Sequence, residues 1–219
     1  MPRLLTMTTF AALLVLNSAF ARSAPTCNDI DKAISANEDF VEVALGIDQL
    51  PIDPAVQTIK TTLRSVETGL SLVRKAESSI QFGLVEQNTS KNDLPRAAVA
   101  AIEIYKLLIN NYESRLPTPL DTAMLDYAGF KLLALTSAKN LDWPEIIKTI
   151  EVGRTSLEKT KHHIKDQAII DLADSISTAL TASLAAQDQA WLSSSAQILL
   201  DSVDLIERLV KNSNKQACD

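Results

Sequence analysis

Three aspartates, Asp93, Asp142 and Asp188, each open a run with the same internal spacing. Four, eight, eleven and fifteen residues after the first stand Ala97, Ala101, Ile104 and Leu108. The second gives Ile146, Ile150, Gly153 and Leu157; the third gives Leu192, Ala196, Leu199 and Val203. All are apolar or glycine, which is one stripe of an amphipathic helix. An aspartate at the head of such a run can accept hydrogen bonds from the free amides of the first turn. In Asp93-Leu94-Pro95 and Asp142-Trp143-Pro144 a proline follows, where its missing N–H has no intrahelical partner to lose. The three starts lie 49 and 46 residues apart. The chain from about residue 70 onward therefore reads as three helical hairpins, 70–116, 119–164 and 166–212.

The rest of the chain agrees. Alternating apolar-polar runs and glycine hairpin turns are scarce, and there are only five glycines in 219 residues. Breaks at 50–54, 87–93, 116–119 and 140–144 divide seven expected helices. These run roughly over 28–47, 54–87, 93–116, 119–139, 142–164, 166–186 and 188–212, the second kinking near Gly69. The expected fold is all-α, a multi-helix bundle or an array of antiparallel helical hairpins with six to eight helices. An apolar fraction of 46% excludes a disordered chain.

The N-terminus reads as an address. Arg3 precedes the apolar run Phe10–Leu16, and Ala19-Phe20-Ala21 is a small-x-small cleavage pattern. A signal peptide over 1–21, cut near Ala21, leaves a single exported helical domain, 22–219, in the periplasm or secreted. The run is too short to span a bilayer, and no transmembrane segment is expected after signal removal. Cys27 and Cys218 are the only cysteines, and an oxidising compartment favours a disulfide between them. In an up-down bundle an even number of helices brings the two ends together. Seven helices do not, so the bridge requires the long second helix to split, a helix to lie across the bundle or the tail to travel.

Catalytic vocabulary is thin. There is no Gly-x-Ser-x-Gly elbow, no phosphate-cradling glycine loop and no Glu-x-x-His pair. No cofactor is expected. A formal net charge of −6 without a basic run argues against nucleic acid as partner. Glu158, His162 and Asp166 stand four apart and would share a face if the helix persists, a spacing able to hold a divalent metal. Lysines around His162 and His163 equally suit a helix C-terminus. Glu103, Tyr105, Asp126, Tyr127 and Lys131 lie inside apolar runs of two helices joined by Pro-Thr-Pro. They form either charge pairs across an interface or the floor of a ligand pocket. Asp171, Asp174, Asp201, Asp204 and Glu207 read as a solvated helix face. Asn88-Thr89-Ser90 matches a glycosylation sequon. The expected function is a non-enzymatic interaction or scaffold module for an unknown protein partner. The alternative is a periplasmic carrier of a small ligand or metal.

Overall fold

The computed structural model describes residues 24–210. The leader 1–21 and Cys218 lie outside the described residues. Within them the chain is helical throughout, with no strand: α1 (Cys27–Ala44), α2 (Ile52–Val66), α3 (Leu72–Ser90), α4 (Leu94–Asn111), α5 (Leu120–Ser137), α6 (Trp143–Lys161), α7 (Gln167–Ala186) and α8 (Gln189–Leu209).

All twelve positions of the aspartate-led stripes are buried. The caps are less uniform. Asp142 and Asp188 accept from the amides of Glu145 at 3.1 Å and Trp191 at 2.9 Å. Asp93 makes no such bond and pairs with Arg96 at 3.3 Å instead. The long second helix does not kink but ends. A short 3-10 turn over Glu67–Gly69 separates α2 from α3, and Ser71 caps α3 by accepting from the Arg74 amide at 3.3 Å. From α4, the Tyr112 hydroxyl donates to the Val66 carbonyl at 2.8 Å and the Asn111 amide to that of Gly69 at 3.3 Å. Among the described residues eight α-helices result, within the expected six to eight, because the long second segment is two helices.

Neighbour relations separate inner from outer helices. Helices α1, α4, α5 and α8 form the inner group, in which α1 packs on α4, α4 on α5 and α5 on α8. Outside them, α2 lies on α1, α3 on α4, α6 on α5 and α7 on α8. The packing of α1–α4 thus recurs in α5–α8, and the turns recur with it. Asn92 (φ 55°) and Gln187 (φ 50°) are the two non-glycine residues with positive φ among the described residues. Each precedes the aspartate at the head of the next helix. The Asp93 amide donates to the Asn88 carbonyl at 2.9 Å, and that of Asp188 to Ser183 at 3.2 Å, the same six-residue closure of a helix C-terminus. The packing repeat is therefore 95 residues, two hairpins rather than one. A shift of one hairpin carries the inner helix α4 onto the outer helix α6.

Helix α5 joins the halves. Ala123, Tyr127, Phe130 and Ala134 belong to the core of the first half; Leu125, Ala128, Leu132 and Leu135 belong to that of the second. A helix apolar all round is the expected form for such a position. By length and composition α7, Gln167–Ala186, is long and apolar enough to cross a membrane, and Ala173, Ile176, Leu180 and Ser183 are its buried residues. It is tied to α6 by Lys161–Asp174 at 2.6 Å.

Candidate functional site

The five polar residues singled out on α4 and α5 separate into two clusters. Two positions along a helix turn a side chain by roughly 200°, so Glu103 and Tyr105 face opposite ways. So the five do not form a single ligand floor. Tyr127 and Lys131, four apart, share a face with Glu103; Tyr105 and Asp126 lie on the other side.

The first cluster centres on Lys131, which is 3% exposed. Its ammonium donates to Glu103 and Glu145 at 2.5 Å each and to the Tyr127 hydroxyl at 2.9 Å. That hydroxyl donates to Glu103 at 2.9 Å. Lys106 lies 4.6 Å from the centroid of the Tyr127 ring and Lys131 5.2 Å, so two cations lie against one aromatic ring. Burial works against the Lys131 ammonium, but hydrogen bonds to Glu103, Glu145 and Tyr127 outweigh it and raise its pKa. Burial pushes the Tyr127 hydroxyl up as well, and the Glu103 charge adds to it. The bond from Lys131 holds Glu145 below its usual range. An ammonium so held cannot serve as a base, and every donor it carries is used. The cluster is a closed charge network, the pairing alternative of the sequence reading.

Glu145 had no sequence signal. It stands in the first turn of α6, where an acid suits the helix dipole anyway, and only packing of α6 on α5 brings it to Lys131.

The second cluster is acidic and spans both halves. Tyr105 is buried, and its hydroxyl donates to the Ala123 carbonyl at 3.0 Å. Burial raises its pKa further, followed by the charges of Asp126 and Glu38. Burial lifts Asp126 well above the carboxylate range, with Glu38 on α1 and Glu207 and Asp204 on α8 adding to it. Glu38 is pushed up to about 7 by burial and by Glu207, Asp39 and Glu42. Glu207 is raised by burial, although the Thr118 hydroxyl donates to it at 3.4 Å. Among the described residues no ion pair reaches Glu38, Glu42, Asp126 or Glu207. Glu207 therefore leaves the solvated face on which it was placed; Asp171, Asp174, Asp201 and Asp204 are exposed as expected.

Glu158, His162 and Asp166 do not form a metal site. Helix α6 ends at Lys161, His162 is its C-cap, and Asp166 caps α7 by accepting from the Ala168 amide at 2.9 Å. The shared face needed an unbroken helix. Glu158 pairs with Lys161 at 2.8 Å instead. Among the described residues no group of three His, Cys, Asp or Glu is placed to hold a metal ion.

Comparison with known proteins finds no family model, no curated protein and no solved structure that matches this chain.

Proposed function

We propose that this chain is an exported, non-enzymatic helical module that works by binding another protein, in the periplasm or outside the cell. The observation that carries the reading is apolar surface turned outward in helical register. On α8, Trp191, Ile198, Leu205 and Leu209 are 44%, 51%, 40% and 48% exposed and follow one another at seven, seven and four residues. That is the spacing with which one helix meets another. Helix α3 carries a second such face. Glu103, Tyr127 and Lys131 are spent on one another, and Tyr105 and Asp126 lie apart from them, so no specific observation favours the carrier alternative.

Export rests on the leader pattern, and the acidic charge supports a protein partner over nucleic acid. A Cys27–Cys218 bridge belongs to the same reading. Eight helices bring the ends of an up-down chain together. The charge of Glu207 acts on Glu38 and that of Asp204 on Glu42, so α1 and α8 run antiparallel there. From Glu38 back to Cys27 is eleven residues, and from Glu207 on to Cys218 is eleven. A non-reducing against a reducing mass measurement checks the bridge.

The function is tested by cross-linking in the exported fraction of the host. The wild type should capture a defined partner, and a Trp191→Glu, Ile198→Glu double variant that keeps its helical circular dichroism should lose it. A turnover activity abolished by one polar substitution would overturn the reading.

A further inference from the structure

Arg96, Val99, Glu103, Lys106 and Asn110 follow one another on α4 at three or four residues, so they share one face of the helix. That face floors two clefts that meet at Gln81 of α3. The cleft nearer Arg96, of about 410 Å³, takes its apolar lining from Leu84, Val99, Ala100, Leu135 and Ala138, and the head of α6 borders it. The cleft nearer Asn110, of about 400 Å³, holds Lys106, Glu103 and the Arg74–Glu77 pair. Together they make a trough along α4, about 21 Å from Arg96 to Asn110. Helices α3 and α6 do not pack on one another as α6 and α7 do, so the trough stays open where the two halves meet. Val73 and Ile80, 67% and 63% exposed, stand beside Leu84 on the α3 lip.

Charge at this trough is unbalanced. Lys106 stands at the edge of the Lys131 network, and the contacts of its ammonium are the Tyr127 hydroxyl at 3.4 Å and the Tyr127 ring. No carboxylate of the described residues comes within ion-pair distance of it. Lys106, Lys131 and Lys148 bring three ammoniums to this place, and Glu103 and Glu145 two carboxylates. Burial depresses the Lys106 pKa and the charges of Lys131 and Lys148 add to it, against the pull of Glu103 and Glu145. Arg74 and Glu77 on the facing wall balance each other at 3.0 Å. One carboxylate from outside the chain would complete the balance.

We propose that the trough between α3 and α6 takes an amphipathic helix of a protein partner, and that an aspartate or glutamate of that helix pairs with Lys106. The proposal rests on the reading of the chain as an interaction module, and adds to it the chemistry of the partner. A helix laid in a groove meets it through side chains on one face. Val99 and Lys106 are seven residues apart, about 10 Å along α4. The partner therefore sets its carboxylate about two turns from an apolar side chain that enters the cleft beside Leu84. A helix also covers Val73 and Ile80 on the lip, which a single fatty chain lying on the floor would leave in water.

Carbodiimide coupling in the exported fraction of the host, read by mass spectrometry, joins an amine to a carboxylate only where the two touch. The wild type should yield a link from Lys106 to an aspartate or glutamate of another protein, with an apolar residue about two turns away in the linked segment. Lys106→Arg keeps the charge, so it should lose the link and still retain that protein in a pull-down, whereas Lys106→Glu should lose both. Leu84→Glu, at a position 39% exposed, should cut the yield at least about tenfold and leave the helical circular dichroism unchanged. The proposal is overturned by a wild type with no link from Lys106 to another protein, by a link to a second copy of this chain, or by a yield indifferent to Leu84→Glu. A fatty carboxylate seen on the purified protein by native mass spectrometry, and absent from Lys106→Glu, overturns it as well. A partner that survives Lys106→Glu but is lost from the Trp191→Glu, Ile198→Glu variant removes this inference and leaves the functional reading standing.

Discussion

Lys131 is nearly sealed from water, while its two carboxylates keep 27% and 30% of their side-chain surface. That asymmetry decides which partner can be removed. Lys131→Met fills the same volume and lets Glu103 and Glu145 rehydrate, so it should cost only about 1 kcal/mol. The Glu103→Gln, Glu145→Gln double variant leaves an ammonium buried among neutral groups, and should cost about 3–5 kcal/mol. Urea unfolding gives both values, and a larger loss for Lys131→Met would refute the account. The raised pKa of Lys131 means that its stabilisation is complete below the unfolded value and is lost only as pH climbs through the folded one. It therefore leaves neutral pH untouched. Glu103, Tyr127 and Lys131 were legible as polar residues inside apolar runs, but their grouping was not. Which of five such residues meet depends on the 100° step between neighbours and on the packing of α6, neither of which residue type reveals. The metal trio failed for the opposite reason: its spacing was helical, but the helix stops at Lys161.

Glycines test the packing of single helices. At Gly129 on α5 an added Cβ would come within 2.6 Å of two side-chain carbons of Leu200 on α8. Gly129→Ala should therefore cost about 1–3 kcal/mol by forcing the two helices apart. Gly83→Ala, with open space above it, should instead stabilise the protein by about 0.5–1 kcal/mol through helix propensity alone. Thermal unfolding separates the two signs; stabilisation at both sites would show that α5 and α8 are not in close contact. At this scale the sequence was most informative. Every stripe position read from the three aspartates is buried, because a period of 3.6 residues survives any arrangement of the helices. The end of α2 was half visible, marked by Gly69 but enforced by Tyr112 and Asn111 reaching over from α4. The 95-residue repeat was hidden because inner and outer helices carry similar stripes, so Asp142 looked equivalent to Asp93 and Asp188.

Across the whole molecule the halves meet at α5, flanked by the acidic cluster. Glu38, Asp39 and Glu42 on α1, Asp126 on α5, and Asp204 and Glu207 on α8 surround one another, with Tyr105 of α4 beside them. Glu38 binds its proton more tightly folded than unfolded, so stability is present at low pH and falls as pH rises from about 4.5 through 7, by up to about 3 kcal/mol. Glu145 has the opposite sign: its contribution is present above the usual carboxylate pKa and is lost below it. A stability maximum near pH 5 should result, with a decline towards pH 8 to which Asp126 also contributes and which Glu38→Gln reduces. Urea midpoints across that range check it, and a profile rising to pH 8 would contradict it. The shared helix also sets what can fold alone. Residues 22–116 contain α1–α4, yet their core includes Ala123, Tyr127, Phe130 and Ala134 of α5. Cut at 116, that half exposes the apolar surface these side chains cover and should melt without a cooperative transition. Extended through residue 138, it regains that face and should unfold in one step, although the other side of α5, Leu125, Leu132 and Leu135, then meets water and lowers solubility. Circular dichroism melts of the two fragments decide. A sharp transition for 22–116 would mean that each half is a domain in its own right, and that α5 is a linker between two bundles rather than a wall common to both.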